Sequence, residues 1–376
     1  MSLTPKERII YTFKGKELDR VAYSPRLYYW YNANKLYLGD RSKKYHKSHI
    51  KEEYINKSQL EIYKKLKASP RYIFETFYIN LFLIKIKLDS DVKIKTRKGE
   101  TKEELITEYI TPKGTLRKVV RDYYIIEYPI KTPKDIKIME YVIENSEFLF
   151  LEDNFRKAED MLGNQGIVSE YIPRSPFMKL LVDLLGFSRT IIFLKRYPQQ
   201  IDNFLAFLDQ WDDKMYELLE KIPMKIINFG ENIDANLTPP PYFTRYLIPY
   251  YQKRVDQLHK AGKICHIHMD GSLKDLLPYF ETLPFDGLEA LTPIPQGDVK
   301  IEELKNSLGT KIYLDGIPSI LFLPEYSFEY VKKYTKRILN TFFPNIILGV
   351  SDEFPPNGQI EKLKMITELL DTFKIK

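Results

Sequence analysis

The hydrophobic pattern of the C-terminal two thirds of the chain alternates between two kinds of segment. From Pro133 onward, short apolar runs that end in polar or glycine residues are followed by longer segments with apolar residues at helical spacing. The candidate strands are GIVSEYI, KIINFGEN, KICHIHMDG, GLEALTP, KIYLDGI and NIILGVSDE. This repeated strand and helix order predicts a parallel sheet covered by helices.

The N-terminal third has a different organisation. The opening LTPKERIIYTF combines a threonine cap, a proline at the first helical position and an early glutamate, so it predicts a short helix. VAYSPRLYYWYN predicts a strand and its exit, and residues from about Asp40 to Leu66 are expected to be helical. Between residues 89 and 132, alternating positions around a Pro-Lys-Gly turn predict antiparallel strands, which we interpret as an insertion.

These elements predict an α/β fold, specifically a (β/α)8 TIM barrel with an inserted antiparallel β segment in the N-terminal third. The strand predicted in VAYSPRLYYWYN is counted together with the six candidate strands after Pro133 as part of this barrel. No G-x-G-x-x-G loop follows a predicted strand, which disfavours a nucleotide-binding open sheet. We expect residues 1–376 to form one barrel domain with its insertion at about residues 89–132.

The composition, with 44% hydrophobic and 29% charged residues, is typical of a globular protein. No apolar run approaches the ~18 residues of a membrane helix, and the nearest, Tyr78 to Leu88, is short and carries lysines. The N-terminus is charged where a signal peptide would be apolar, so we expect a cytoplasmic protein. Cys265 is the only cysteine, which excludes an internal disulfide and a thiolate-cluster metal site.

The net charge of +7 does not indicate a nucleic-acid or membrane partner. The lysines are interleaved with glutamates, as in HIKEEYINKSQLEIYKKLK, and this pattern is typical of solvated helix faces. The sequence contains no zinc-finger or aromatic RNP-type motif. We therefore expect a small-molecule substrate.

In a (β/α)8 barrel the active site lies at the C-terminal ends of the strands. Polar residues that finish the apolar runs are therefore the candidate site residues. They are Glu170, Arg174, Glu231, Asn232, Asp234, His266, His268, Asp270, Glu289, Thr292, Asp315, Ser351, Asp352 and Glu353. For Glu170, Glu289 and Asp315, salt bridging or helix capping at the rim is as good an interpretation as a function in the site.

Two histidines and an aspartate occupy alternate positions in CHIHMDGS. Because side chains alternate along a strand, His266, His268 and Asp270 are expected to face one side and Cys265 the other. We interpret His266 as a buried, hydrogen-bonded histidine of the barrel. His268 and Asp270 fall at the predicted C-terminal rim, where they are candidates for metal binding or acid/base chemistry.

Several stretches, taken in order along the chain, resemble the uroporphyrinogen decarboxylase superfamily. They are TPKERIIYTFKGKELDRVAYSP, TPKGTLR, GENIDANLTPPPYFTRYLIPYY, HIHMDGSLKDLLPYFETLPFDGLEALTP and ILGVSDEFPPNGQIEKLKMI. This resemblance implies a (β/α)8 barrel. It also implies one of two activities, tetrapyrrole decarboxylation or cobalamin-dependent methyl transfer between a corrinoid and a thiol or pterin.

The segment after the first strand separates these branches. The decarboxylases resembled here carry an arginine-rich segment at this place, whereas this chain has Arg26 followed by four aromatic residues from Tyr28 to Tyr31. Such residues form an aromatic wall instead of a clamp for carboxylates. We therefore expect Tyr28 and Trp30 to contact the substrate, together with Glu170, Asn232 and Asp315. The tyrosines suit the core or a homodimer interface equally well.

The methyltransferases that the chain resembles activate a thiol on zinc held by a Glu, an H-x-C pair and a later Cys. By motif, His268 matches the His, Asp270 the first Cys and Asp352 the later Cys, while Glu231 matches the Glu. Asn232 or Asp234 could take the place of Glu231. Both thiolates are thus replaced by carboxylates, which gives a harder and more anionic set of ligands for a divalent metal, with zinc as the expected ion.

The resemblance implies a methyltransferase that moves a methyl group between a corrinoid, carried on a separate protein, and a small acceptor. His268, Asp234 and Asp352 are the expected catalytic residues. Two alternatives stay open. One is a metal-independent decarboxylase of a substrate other than uroporphyrinogen. The other is a catalytically silent protein that binds a tetrapyrrole or corrinoid.

Overall fold

The computed structural model describes residues 2–34, 50–72, 82–101, 103–122 and 124–375. The strands in these ranges are β1 (Ala22–Tyr23), β2 (Ile84–Leu88), β3 (Lys93–Lys98), β4 (Glu104–Thr111), β5 (Gly114–Arg121), β6 (Tyr124–Glu127), β7 (Ser146–Phe150), β8 (Tyr171–Ile172), β9 (Ile226–Phe229), β10 (Ile264–His268), β11 (Gly287–Glu289), β12 (Ile312–Pro318) and β13 (Ile346–Ser351).

The helices are α1 (Pro5–Phe13), α2 (Tyr28–Ala33), α3 (Gln59–Lys65), α4 (Pro133–Glu144), α5 (Glu152–Leu162), α6 (Pro176–Lys179), α7 (Phe187–Arg196), α8 (Pro198–Lys221), α9 (Pro240–Tyr242), α10 (Ile248–Lys260), α11 (Ile301–Leu308), α12 (Phe328–Phe342) and α13 (Ile360–Thr372). Two turns of π-helix, Leu180–Leu184 and Phe243–Leu247, follow α6 and α9. The predicted capping box of α1 is present, with Thr4 and Glu7 bonding each other's backbone.

Seven parallel strands form the barrel in the order β1, β13, β12, β11, β10, β9 and β8. Residues 69–72 occupy the remaining position between β1 and β8. The Ser69 backbone N–H donates to the Tyr23 carbonyl at 2.8 Å, and Gly166, near the start of β8, lies against Pro70. The predicted α/β fold with a (β/α)8 barrel is confirmed.

The segment predicted as an insertion forms an antiparallel sheet in the order β3, β4, β5 and β6. β4 and β5 meet at the predicted Pro-Lys-Gly turn, where Thr111 pairs with Gly114. Gly114 has a φ of +137°, which a glycine adopts without steric cost. A second antiparallel pair, β2 with β7, flanks this sheet and extends beyond the predicted boundaries of residues 89 and 132.

Three sequence-based expectations differ from the structure in detail. The predicted helix at 40–66 is a single 3₁₀ turn, Glu52–Tyr54, followed by α3, and residues 40–49 lie outside the described residues. The apolar run from residue 78 to 88 ends in strand β2, and residues 78–81 also lie outside the described residues. The predicted strand in VAYSPRLYYWYN is only two residues long, and its aromatic part is helix α2.

The core is built from the outward-facing strand residues and the apolar stripes of the helices. In α8, buried residues recur every three or four positions from Ile201 through Phe204, Leu208 and Trp211 to Met215, which is the spacing of one helix face. Truncating Phe204 to alanine would cost about 3–5 kcal/mol, the usual range for a buried aromatic residue. Among the described residues, no helix combines the length and the apolar character needed to cross a membrane.

Candidate active site at the barrel mouth

Strand β10 carries the motif that the sequence singled out. His266 and His268 both face the barrel interior and are buried, while Cys265 faces away and is also buried. The Nε2 atom of His268 lies 4.0 Å from Asp270 Oδ2 and 3.9 Å from Asp352 Oδ1. One ligand atom from each of these three residues lies within 4.8 Å of the other two. We call His268, Asp270 and Asp352 the rim group.

The two aspartates reach His268 from different strand ends. Asp270 follows β10, and the next residue, Gly271, has a φ of +85° that turns the chain away from the barrel. Asp352 follows β13 with a φ of +64°, a left-handed conformation that aspartate tolerates better than most residues. Burial raises the pKa of Asp270, the charge of His268 lowers it, and the nearby carboxylates of Asp352 and Asp234 raise it further.

Below the rim group, four buried charged residues form what we call the ion cluster, Arg26, Arg71, Glu289 and Asp315. Arg71 Nη1 lies 2.9 Å from Glu289 Oε1 and 2.7 Å from Asp315 Oδ1. Arg26 Nη1 lies 3.7 Å from Glu289 Oε1. An added Cβ at Gly349 would lie 2.7 Å from the Asp315 carboxylate, so glycine is required at that place in β13.

Glu289 connects the ion cluster to both histidines. Its Oε2 lies 3.2 Å from His266 Nδ1, its Oε1 lies 3.8 Å from His268 Nδ1, and it accepts a hydrogen bond from Tyr72. Burial alone would raise the pKa of Glu289, but Arg71 and the two histidines outweigh it and hold that pKa well below its usual range. Glu289 is therefore an ionised carboxylate that attracts both histidines, and its distance of 3.8 Å from His268 Nδ1 is longer than a hydrogen bond.

The two histidines respond to this environment in opposite ways. Burial dominates for His266 and lowers its pKa, although Glu289 partly offsets the effect. For His268 the attraction of Glu289 and Asp270 outweighs burial, and the pKa lies above its ordinary value. The interpretation of His266 as a barrel histidine agrees with its packing between Phe13 and Tyr72, whose rings lie 6.2 and 6.3 Å from it.

Sequence reasoning missed Arg71, which holds Glu289 and Asp315 together. The segment that carries it was not recognised as a barrel strand because it has no long apolar run. One signal was present, since the tripeptide Ser-Pro-Arg occurs at residues 24–26 and again at 69–71. The first copy follows strand β1, and the second lies in the segment beside β1. The arginine of each copy lies close to Glu289.

Asp315, predicted as a substrate contact, is instead a fully buried member of the ion cluster. Its Oδ2 accepts the Ala290 backbone N–H at 3.2 Å, while Oδ1 faces Arg71. Burial raises the pKa of Asp315, Arg71 lowers it, and the neighbouring Glu289 carboxylate raises it again. For this residue, the salt-bridge interpretation fits the geometry.

The structure does not bring Glu231 into the rim group. Its buried carboxylate accepts two hydrogen bonds from Ser175, one from the backbone N–H at 2.7 Å and one from the hydroxyl at 2.8 Å. Burial raises the pKa of Glu231 to about 7 against the lowering effect of these bonds. The prediction of Glu231 as a metal ligand therefore conflicts with this geometry, because the carboxylate already anchors the start of α6.

Glu170 has a similar anchoring role. Its Oε2 accepts the backbone N–H groups of Leu83 and Ile84 at 3.0 and 3.1 Å, which attaches β2 to the barrel. Burial raises the pKa of Glu170 to about 7 although these bonds lower it. Its predicted contact with substrate is not supported, and the capping interpretation fits instead.

Asp234 and Asn232, in the loop after β9, lie beside the site rather than within the rim group. Asp234 Oδ1 accepts the Asn236 backbone N–H at 2.7 Å, and its carboxylate lies so close to Gly271 that a Cβ there would clash with it. Asp234 thus shapes the turn that follows His268. Asn232, with a φ of +55°, lines the cavity described next, and its contact with a substrate stays a prediction.

A cavity of about 520 Å³ opens beside the rim group. Its lining residues are Arg26, Ile86, Met139, Ile143, Tyr171, Ile172, Pro173, Arg174, Lys179, Asp183, Leu184, Leu208, Trp211, Gly230, Asn232, His268 and Asp352. This volume is within the range of small-molecule sites, and the cavity lies at the C-terminal ends of the strands, as expected for a barrel.

The predicted aromatic wall is not part of this cavity. Trp30 is fully buried in the core, where its ring makes edge contacts with Tyr54 and Phe354. Tyr28 is half-buried in the first turn of α2 and is not among the residues that line the cavity. The prediction of Trp30 as a substrate contact is wrong, because helix α2 turns it inward, and the core interpretation applies instead.

A second group of ligand-type residues, His259, Cys265 and Asp286, lies at the N-terminal end of β10, away from the cavity. Asp286 Oδ2 is already engaged, since it lies 2.9 Å from His259 Nε2 and accepts the Cys265 backbone N–H at 2.7 Å. Burial raises the pKa of the Cys265 thiol well above its usual range, which disfavours a thiolate ligand.

The rim group brings together one imidazole nitrogen and two carboxylates, which are ligand types that divalent metal ions take. Ligands of one tetrahedral zinc ion at about 2.0–2.2 Å are separated from each other by about 3.3–3.6 Å. The separations of 3.9 and 4.0 Å around His268 Nε2 exceed this by a few tenths of an ångström, and the three ligand atoms all lie within 4.8 Å of one another. Glu289 lies 3.8 Å from His268 Nδ1, the side of the ring where a ligating histidine usually meets a second carboxylate, but the two groups are not hydrogen-bonded.

Comparison with protein families gives the class of protein. The family model for uroporphyrinogen decarboxylase (URO-D) matches residues 155–373, more than half of the chain. The protein therefore belongs to the uroporphyrinogen decarboxylase family, as the ordered motifs indicated. No curated protein matches the chain.

One solved structure shows the same fold, and a second has a lower similarity. A methyltransferase from Methanosarcina mazei is similar over 98% of this chain and 99% of its own, with 14% identity and a TM-score of 0.61. A B12-independent methionine synthase from Shewanella sp. W3-18-1, solved in complex with selenomethionine, is similar over 86% of this chain and 90% of its own chain. The identity is 12% and the TM-score is 0.42. At this level of identity, the first similarity shows a shared fold.

Proposed function

We propose that this protein is a methyltransferase that moves a methyl group between a corrinoid, held by a separate carrier protein, and a small acceptor. The observation that carries the proposal is the convergence of His268, Asp270 and Asp352 beside a cavity of suitable size. The fold shared with a methyltransferase over nearly the whole chain supports it. Family membership alone leaves the reaction open, because one fold serves several chemistries.

In the proposed reaction, a thiol or hydroxyl of the acceptor transfers its proton to the Asp352 carboxylate in the rim group. A divalent ion bound there would act as a Lewis acid that lowers the pKa of that acceptor group. The new bond joins the acceptor atom to the methyl carbon, while the bond between that carbon and cobalt breaks and leaves its electron pair on the corrinoid. The cavity keeps the acceptor close to His268 and Asp352 during the transfer.

The residues of the chain have distinct parts in this proposal. His268, Asp270 and Asp352 offer the nitrogen and oxygen ligands, and the Glu289 carboxylate lies 3.8 Å from His268 Nδ1, on the other side of the ring from the two aspartates. Arg71 and Arg26 keep Glu289 ionised and in place. Asp234 supports the turn that carries Asp270.

The test is the metal content of protein purified without chelators or a metal-binding tag. We expect about one equivalent of zinc or another divalent ion in the wild type and its loss in His268→Ala. The matched control is His259→Ala, which removes a histidine from the second ligand-type group and should leave the metal in place. Metal that persists in His268→Ala, or that is lost only in His259→Ala, would contradict the assignment of the rim group.

A methyl-transfer assay then tests the reaction itself. Wild-type protein with methylcobalamin and a panel of thiols should form methyl thioethers, and His268→Ala should not. Failure across thiol and pterin acceptors, with metal bound at the rim group, would count against methyl transfer while leaving the metal site intact.

One observation favours a metal-independent decarboxylase as a second candidate. Asp270 has a raised pKa, caused first by burial, and lies beside His268, which gives an acid and base pair without any metal. Activity that survives chelator treatment would select this candidate over the methyltransferase. Tight corrinoid or porphyrin binding without turnover would instead favour a catalytically silent binding protein.

A further inference from the structure

We infer that the small acceptor, which reacts with the corrinoid, has an uncharged, apolar body. This body lies in the cavity beside the rim group. This inference rests on the proposed function and names the substrate class for it. It excludes polycarboxylates and small charged thiols as the preferred substrates. The residues that line the cavity and the pairing of its charges both favour this class.

The walls of the cavity are mostly apolar and come from several elements. Ile86 of β2 with Met139 and Ile143 of α4 form one side, and Leu208 with Trp211 of α8 form another. The π-helical turn after α6 adds Leu184. An apolar body placed here would leave water on binding, which gains about 25 cal/mol for each Å² buried.

The cations that line the cavity already have carboxylate partners. Lys179 Nζ lies 2.5 Å from the buried Asp212 carboxylate, and the ammonium stands over the Trp211 ring at 5.2 Å. Arg174 Nη1 lies 3.4 Å from Asp183 Oδ1, which lines the same cavity, while the buried Arg174 Nε makes no hydrogen bond within the described residues.

At the rim end of the cavity, Arg26 Nη2 lies 2.7 Å from Glu353 Oε1. An anionic substrate would therefore have to displace an existing carboxylate partner from Arg26 or Lys179, or approach Arg174 beside the carboxylate of Asp183. Displacing a partner leaves a buried or half-buried charge uncompensated. The lining offers a better fit to an uncharged body than to a charged one.

The placement of the rim group in the cavity gives the substrate its orientation. His268 and Asp352 are lining residues, so the reacting thiol or hydroxyl belongs at that end and the body extends along the apolar walls. A volume of about 520 Å³ accommodates a body of several carbons, well beyond a two-carbon thiol.

Binding can be measured without any assay of catalysis. The chain has two tryptophans, so Trp30→Phe leaves Trp211, in the cavity wall, as the one tryptophan, which is excited selectively over the tyrosines at the red edge of its absorption. The probes are 1-butanol, 1-pentanol and 1-hexanol and the corresponding thiols, titrated against Trp211 fluorescence. Dissociation constants should fall about fourfold for each added methylene, the factor that corresponds to ~0.8 kcal/mol per buried CH₂.

A matched pair of variants, made in the Trp30→Phe background, assigns the effect to the cavity. Ile86 and Ile94 are both exposed isoleucines on antiparallel strands, but only Ile86 lines the cavity. Ile86→Asp should weaken 1-hexanol binding about tenfold, since it places a charge in an apolar wall, and Ile94→Asp should change it less than about twofold. Equal effects of the two variants would overturn the inference.

The alcohols and thiols separate the two proposals. A fourfold gain per methylene in both series supports the apolar body, whatever the reaction proves to be. Tighter binding of each thiol than of its alcohol, abolished in His268→Ala, supports the metal-bound nucleophile. Absence of a chain-length trend, or tighter binding of the charged thiol mercaptoacetate than of 1-hexanethiol, would overturn the apolar substrate class while leaving methyl transfer open.

Discussion

The rim group and the ion cluster are adjacent sets of charged residues in one barrel, and they differ in how their charges are balanced. In the ion cluster, Arg71 contacts both Glu289 and Asp315 within 3 Å, and all three side chains are buried. In the rim group, Asp352 has Arg26 and His268 only at 3.7 and 3.9 Å, and almost half of its side chain is exposed.

This difference indicates that the ion cluster supports the structure and that the rim group is available to bind a ligand. A buried ion pair that is fully paired holds its surroundings in one arrangement and has little capacity left for a ligand. Loosely paired carboxylates next to an oriented histidine have ligand atoms to spare. The ion cluster thus acts as the scaffold that positions His268, and the rim group faces the cavity.

The largest expected effect is a loss of stability when a substitution breaks the ion cluster. Arg71→Ala leaves Glu289 and Asp315 buried without their shared cation, and we expect the free energy of unfolding to fall by about 3–5 kcal/mol. Asp352→Asn, in the rim group, should change it by less than about 0.5 kcal/mol, because asparagine also tolerates a positive φ. Urea denaturation of both variants measures the contrast, and equal losses would remove the distinction between the two groups.

The next effect concerns Glu231, a buried carboxylate that hydrogen bonds with Ser175 rather than with an arginine. A pKa raised to about 7 means that the folded state favours the neutral form, so stability is lost as the pH rises from about 4.5 to about 7. Relative to Glu231→Gln, the wild type should lose about 3 kcal/mol over this window.

Unfolding free energies measured at pH 4.5 and pH 8 test this prediction for Glu231. Other carboxyls titrate in both proteins and cancel in the difference. A wild type that gains stability relative to Glu231→Gln over this window would show that Glu231 is ionised and paired, like Glu289.

The smallest expected effect is on stability, in a variant that tests which residues form the metal site. Cys265→Ala should cost about 1 kcal/mol of stability through lost packing and leave the bound metal unchanged, because Cys265 faces away from the rim group. Metal analysis of the variant checks this. Loss of the ion on removal of the thiol would move the metal site to His259, Cys265 and Asp286.

The arrangement of the rim group was largely predictable. The alternation of His266, His268 and Asp270 fixes which side chains share a face, and the strand ends of a barrel fix which rim they reach. Asp352 was found by the same reasoning, since it ends the last strand. Glu231 was misplaced because a strand-end position does not reveal that a buried serine nearby will take its carboxylate.

The sequence by itself determined the barrel, the inserted antiparallel strands and the family, because hydrophobic period and local turn chemistry are written in consecutive residues. Only the tertiary structure decided which charges neutralise each other. Arg71 and Glu289 are 218 positions apart, and Trp30 enters the core through a helix rather than a strand. Pairing and burial of this kind depend on contacts between distant segments, and no local pattern specifies them.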